Sequence, residues 1–158
     1  MCFRVFSTHS NNPGFTQLDI RSIIPSHLLG GLVMPGTATS ILKVGVEDAE
    51  LDDWTLPPEV IISGNPVAKG RFLWQSSDKR LGNGVWSCEV GSFTWEYTWD
   101  ETICFLEGEA TITDSQGNSE TYGTGDLFFV PIGTKTTWEV TKPVRKVFHL
   151  RSNDPVEL

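Results

Sequence analysis

An all-β domain, either a sandwich or a small barrel, is the fold class this chain predicts, and three observations point to it. From Gly84 to Leu150 short segments rich in aromatic and β-branched residues follow one another at roughly eight-residue spacing. Turn chemistry separates them, and no stretch shows a sustained helical period. At 158 residues, with 39% hydrophobic and 20% charged content, the chain is long enough for one domain to bury a core without staples.

The strand-like segments run in order as GVWSCEV, FTWEYTW, TICFLE, EATIT, SETYG, DLFFVP, TTWEV and RKVFHL. Asp114–Asn118 (DSQGN) joins two alternating runs as a hairpin loop, Gly123–Gly125 and Pro131–Thr134 read as tight turns, and Thr141–Pro143 is expected to break the chain before the last strand. Glu107 and Glu109 flank Gly108 at what reads as a solvated turn. Residues 1–56 differ. Pro25, Gly30, Gly31 and Pro35 interrupt an apolar run there, and the acidic stretch Glu47–Trp54 follows. The expected division is an extension, residues 1–56, that packs on the barrel or on a partner subunit, and a barrel domain, residues 57–158.

Charge and cysteine content narrow the function. A net charge of −8 with no basic cluster disfavours nucleic acid and anionic membranes as partners. No run has the length of a bilayer span, and the N-terminus lacks the apolar core of a signal peptide. Cys2, Cys88 and Cys104 are odd in number and lack CxxC spacing, which argues against a disulfide frame or zinc knuckle. A reducing, cytoplasmic location is expected.

Alternation assigns the side chains of the central segment. In FTWEYTW, Phe93, Trp95, Tyr97 and Trp99 point one way, and Thr94, Glu96 and Thr98 the other. The barrel interior takes the apolar face, so Trp95 and Tyr97 look inward and Glu96 outward. Such aromatics fill a core, and an inward Tyr beside Trp equally describes a ligand pocket with an apolar wall and a polar tip. Asp100 and Glu101 face opposite ways on a regular strand, and Cys104 has no histidine near it in sequence. His149 reads as a strand residue with its hydrogen bonds satisfied, not a base.

Two spacings carry a resemblance. Glu101 lies seven residues before Gly108, and Gly125-DLFFV-Pro131-I-Gly133 has the form G-x5-P-x-G. With the hairpin between them, these resemble the two motifs of the cupin superfamily, which implies an RmlC-like jelly-roll β-barrel. ISGNP (62–66), RFLW (71–74), GVW (84–86), the DE…LEG…DSQG stretch, GD (125–126) and TWEVTKPVRKVF (137–148) are similar to the small single-domain cupins grouped with (S)-ureidoglycine aminohydrolase. The resemblance covers residues 57–150.

Cupins place an HxH pair, a Glu and a later His around a divalent metal. Here the pair falls on Thr94 and Glu96 or on Trp95 and Tyr97, alternation favouring the second; the Glu is Glu101, and the last position is Thr136. One expected ligand of four is present, which disqualifies a tight transition-metal site. No cofactor is expected. A weakly held Mg²⁺ or Ca²⁺ is the one type of ion such oxygens would accept.

Without a metal, an inward Glu101 is either a general acid–base group or a structural carboxylate paired with Lys135, Arg145 or Lys146. The leading expectation is a small-molecule cupin enzyme working by proton transfer, of isomerase, lyase or hydrolase type. Glu101 is its acid–base and Tyr97 a hydrogen-bond donor. Trp95 and Trp138 form walls and Lys135 an anion contact. Thr136, Trp86 and Glu96 stand nearby, with Trp86 and Trp138 expected across the mouth or an interface. A metal-dependent ureidoglycine aminohydrolase-like hydrolase and a non-catalytic ligand-sensing or interaction module are the alternatives. Exposed barrel edges suggest a homodimer.

Overall fold

The structure, a computed structural model, describes residues 41–157. It is an antiparallel β fold built on two long strands. β6 (Asp100–Asp114) and β9 (Lys135–Arg151) pair along nearly their whole length, from Asp100 opposite Arg151 to Asp114 opposite Thr136. The remaining strands are β1 (Asp52–Asp53), β2 (Ile61–Gly64), β3 (Ala68–Gln75), β4 (Leu81–Cys88), β5 (Gly91–Glu96), β7 (Ser119–Gly123) and β8 (Leu127–Val130).

The partners of the long strands change halfway along. β9 pairs with β5 over Lys135–Val140 and with β4 over Val144–Arg151. β6 pairs with β8 over Glu101–Cys104 and with β7 over Glu109–Thr113. One half of the curled sheet therefore runs β1-β3-β4-β9-β6-β8, the other β2-β5-β9-β6-β7. The fold is the expected cupin-type jelly roll.

The crease corrects two expectations. Thr141–Pro143 does not end a strand, and Gly108 is not in a turn: both sit inside continuous strands. Pro143 falls between the β5-paired and β4-paired halves of β9, where no ladder needs its missing N–H. Opposite it, β6 shifts register three times between Phe105 and Ala110, and Gly108 has φ +84°. A Cβ on Gly108 would lie 2.0 Å from the Pro143 carbonyl oxygen, so the crease closes only around glycine.

The other expected turns do form. Asp114 Oδ1 accepts from the backbone N–H groups of Gln116 (2.8 Å) and Asn118 (3.0 Å), which fixes the β6–β7 hairpin. Tyr97 N–H donates to the Thr134 carbonyl, and Gly133 N–H to the Tyr97 carbonyl, tying the β8–β9 turn to the end of β5. Alternation puts Val85, Phe93, Tyr97, Ile103, Phe105, Trp138, Val140, Phe148 and Leu150 in the core.

Of the expected extension, residues 1–40 lie outside the described residues. Residues 46–56 are attached to the barrel by specific contacts. Arg145 donates to the carbonyls of Val46 (3.0 Å) and Ala49 (2.9 Å), and β1 pairs with β3. Trp54 then lies across Gly70, where a Cβ would come within 2.1 Å of the indole ring. It meets Phe72 and Phe148 at centroid distances of 6.2 and 6.0 Å. Leu56 follows into the core.

Candidate functional site

Between the two halves of the sheet lies a cavity of about 40 Å³. β5 and the residues after it contribute Phe93, Trp95, Tyr97 and Trp99. β9 contributes Trp138, Lys146, Phe148 and Leu150, β4 contributes Trp86, β6 contributes Glu101, and Trp54 and Leu56 close one wall. These positions follow from period-two alternation on strands that curl around a common interior.

Glu101 and Lys146 form the polar centre. Their side chains are 5% and 8% exposed, and Lys146 Nζ stands 2.7 Å from Glu101 Oε1. Trp99 Nε1 donates to Glu101 Oε2, also at 2.7 Å, so both carboxylate oxygens are bonded. The Lys146 ammonium also lies over the faces of Trp86 and Trp138, 4.9 and 5.3 Å from the ring centroids. Aromatic faces and a carboxylate thus surround one positive charge. Glu101 is accordingly not the uncompensated carboxyl that the residue pattern alone leaves open. Of the three cations expected as its possible partner, Lys146 fills the role, Arg145 holds the 46–49 segment and Lys135 lies outside.

Tyr97 is 1% exposed, and its hydroxyl is held protonated well above the usual phenol range, by burial first and the negative charge of Glu101 second. The indole N–H of Trp138 pulls the other way without meeting hydrogen-bond geometry, and among the described residues this buried N–H has no partner.

Glu101, Tyr97, Trp95, Trp86 and Trp138 come together as expected residues of one cavity, with Trp86 and Trp138 inside it and not across a mouth or interface. Glu96, Lys135 and Thr136 do not join them. Glu96 and Lys135 alternate outward and pair with each other at 3.4 Å, with side chains 57% and 67% exposed. Thr136 is buried, but its hydroxyl is spent on the Trp95 carbonyl at 3.1 Å. These three line a separate open groove with Thr94, Thr113 and Asp114; Trp95 borders both groove and cavity. Asp100 faces away from Glu101 and accepts the Ile132 N–H at 2.9 Å. His149 is exposed on β9. Lys146, Trp99 and Trp54 are cavity residues that the expected site lacked. The signal for Lys146 was available, since Val144, Lys146, Phe148 and Leu150 share one strand face.

The metal of the family pattern does not fit these residues. Its Glu position is occupied by a carboxylate already bonded to an ammonium, the positions of the histidine pair by Trp95 and Tyr97, and the last position by a threonine whose hydroxyl is engaged. A divalent ion at Glu101 would face Lys146 at contact range. Among the described residues no group of three His, Cys, Asp or Glu side chains could hold a metal ion.

Comparison with known proteins agrees with the geometry. Residues 75–148 match the family model of the EutQ-like cupin domain. A protein of unknown function of the DUF861 family from Pseudomonas syringae pv. tomato superposes with a TM-score of 0.60 at 28% identity. The match covers 65% of this chain and 45% of that one. The Clostridium difficile EutQ protein gives 0.57 at 19% identity, over 71% and 87% of the two chains. The polyketide cyclase RemF from Streptomyces resistomycificus gives 0.56 at 18%, over 74% and 83%. At the last two identities the shared property is the fold. No curated protein is detectably similar to the chain. The aminohydrolase-like family is a narrower assignment than these matches carry.

Proposed function

We propose that the chain, whose residues 75–148 match the EutQ-like cupin domain, binds a small polar metabolite in its barrel and acts on it by metal-independent proton transfer. Glu101 is the proton acceptor and donor, Tyr97 a hydrogen-bond donor, and Trp95, Trp86 and Trp138 the walls. The observation that carries this reading is the Glu101–Lys146 pair inside an aromatic cavity, 2.7 Å apart and nearly inaccessible to solvent. Such a site supplies a base together with a fixed positive charge that stabilises the anion formed when the base takes a proton. Return of the proton to another atom of the ligand gives isomerisation, and loss of a leaving group gives elimination.

The aminohydrolase reading requires a cation at Glu101, where Lys146 already stands, and is the weaker for it. The proposal carries with it a cytoplasmic homodimer. Leu127 and Phe129, 70% and 60% exposed on the edge strand β8, are the apolar surface for the second copy. Among the described residues no helix is long and apolar enough to cross a membrane.

Thermal-shift screening of small carbonyl and hydroxy-acid metabolites, followed by turnover assays, identifies the substrate class. Glu101→Gln then lowers kcat by roughly 10²-fold or more, the usual contribution of a positioned acid–base group. Unchanged turnover in a folded Glu101→Gln variant removes Glu101 from the chemistry.

A further inference from the structure

The polar groups of the cavity are unequally used. Glu101, the carboxylate among them, spends its oxygens on Lys146 Nζ and Trp99 Nε1. The donors are in surplus. An ammonium carries three N–H bonds, and Lys146 commits one to Glu101. Trp138 is 2% exposed, and among the described residues its indole N–H has no partner. Folded proteins retain few buried donors in that state without a reason. Tyr97, kept in its protonated form, adds an O–H on the same wall.

We propose that the cavity recognises its ligand through an acceptor oxygen, that of a carboxylate or an uncharged carbonyl, held by the Lys146 ammonium and the Trp138 indole N–H. This rests on the barrel being the binding site, as in the proposed function, and adds the chemistry of what enters. Aromatic walls beside a carboxylate ordinarily suit a ligand cation. Here that place is filled from within by Lys146, which stands over two indole faces and repels a second ammonium. A free volume of about 40 Å³ admits roughly three waters or a head group of that size. The recognised end of the ligand is therefore compact, and Trp95, shared with the outer groove, marks the side on which the rest of a larger molecule extends. Lys146 itself thus supplies the positive charge that meets an oxygen here.

Titration of the purified full chain with formate, acetamide and methylammonium, read by tryptophan fluorescence, tests this. Formate and acetamide give saturable changes and methylammonium none. Trp138→Phe keeps an aromatic ring at the position but not the indole N–H and weakens formate by roughly 2- to 10-fold, the range of one neutral hydrogen bond. Because Lys146→Met alone strands a buried carboxylate, the charge is removed with the double variant Glu101→Gln/Lys146→Met, which weakens formate by at least about 10-fold. Saturation by methylammonium without formate overturns the inference, as do formate affinities unchanged in both variants. Formate binding alongside unchanged turnover in Glu101→Gln overturns the acid–base reading and leaves this one standing. Lost turnover in that variant, with no acceptor ligand bound by the wild type, does the reverse.

Discussion

Lys146 carries two loads at once, and each has a measurable consequence. It compensates the Glu101 carboxylate, and it fills the space between Trp86 and Trp138 with a charge. Taking either ion out of water is costly, so the pair is held by mutual attraction and by the Trp99 bond, not by any net gain over an apolar pair. Lys146→Met should destabilise the fold by about 3–5 kcal/mol in urea unfolding, because an uncompensated charge is left buried. Adding Glu101→Gln should recover a large part of that loss. Equal losses in the single and double variants would show that packing of the lysine stem, not charge, is what the site requires. At this scale the sequence is informative on aromatic residues and less so on ions. Alternation places Trp95, Tyr97 and Glu101 inside, and along β9 it separates Lys146, on the face of Val144, Phe148 and Leu150, from Lys135 and Arg145. That Lys146 reaches Glu101 also requires β6 to lie beside β9, a pairing between strands far apart in the chain that no local pattern records.

The two long strands show why element boundaries are harder to read than element type. A glycine between acidic residues and a Thr-Lys-Pro sequence are turn signals locally, and a crease in a continuous strand uses the same chemistry. What separates the two cases is the partner strand. Gly108 and Pro143 face each other, so one residue lacking a side chain and one lacking an N–H meet where both ladders change partners. Gly108→Ala should therefore cost more than about 1 kcal/mol, since both the positive φ and the approach to the Pro143 carbonyl oppose a Cβ. Gly117→Ala is the control: that hairpin glycine also has positive φ, but a Cβ there would meet nothing within 4 Å, so it should lose less. Equal losses in thermal unfolding would mean that backbone conformation alone, and not the closed crease, sets the requirement.

At the scale of the molecule, the curled sheet makes an interior that rejects charge except where charge is paired. The Cys88 thiol is pushed up to about 12, by burial first and Glu89 second, and Tyr97 is raised above its ordinary value. Both groups are neutral when protonated and hold their protons more tightly in the folded state, so the folded protein binds more protons than the unfolded chain at alkaline pH. Their contribution is complete below the unfolded values near 9 and 10 and is lost as pH rises past them. Urea midpoints should fall steadily from pH 9 upward, and Cys88→Ala should flatten the first part of that fall; a fall of the same steepness in Cys88→Ala would remove the thiol as its cause. The fold class is legible because strand spacing and turn chemistry recur along the whole barrel. The closure of the cavity by Trp54 is not, because it depends on a short acidic segment meeting Gly70 on β3.

An internal ammonium occupies the position at which a metal would meet Glu101, and the proposed chemistry follows from that substitution. Calorimetric titration of chelator-treated protein with Mn²⁺ and Zn²⁺, paired with anomalous diffraction from soaked crystals, tests it most directly. The account predicts no stoichiometric ion in the cavity and an intact contact between Lys146 and Glu101. A single well-ordered ion bonded to Glu101, with the lysine displaced, would contradict it.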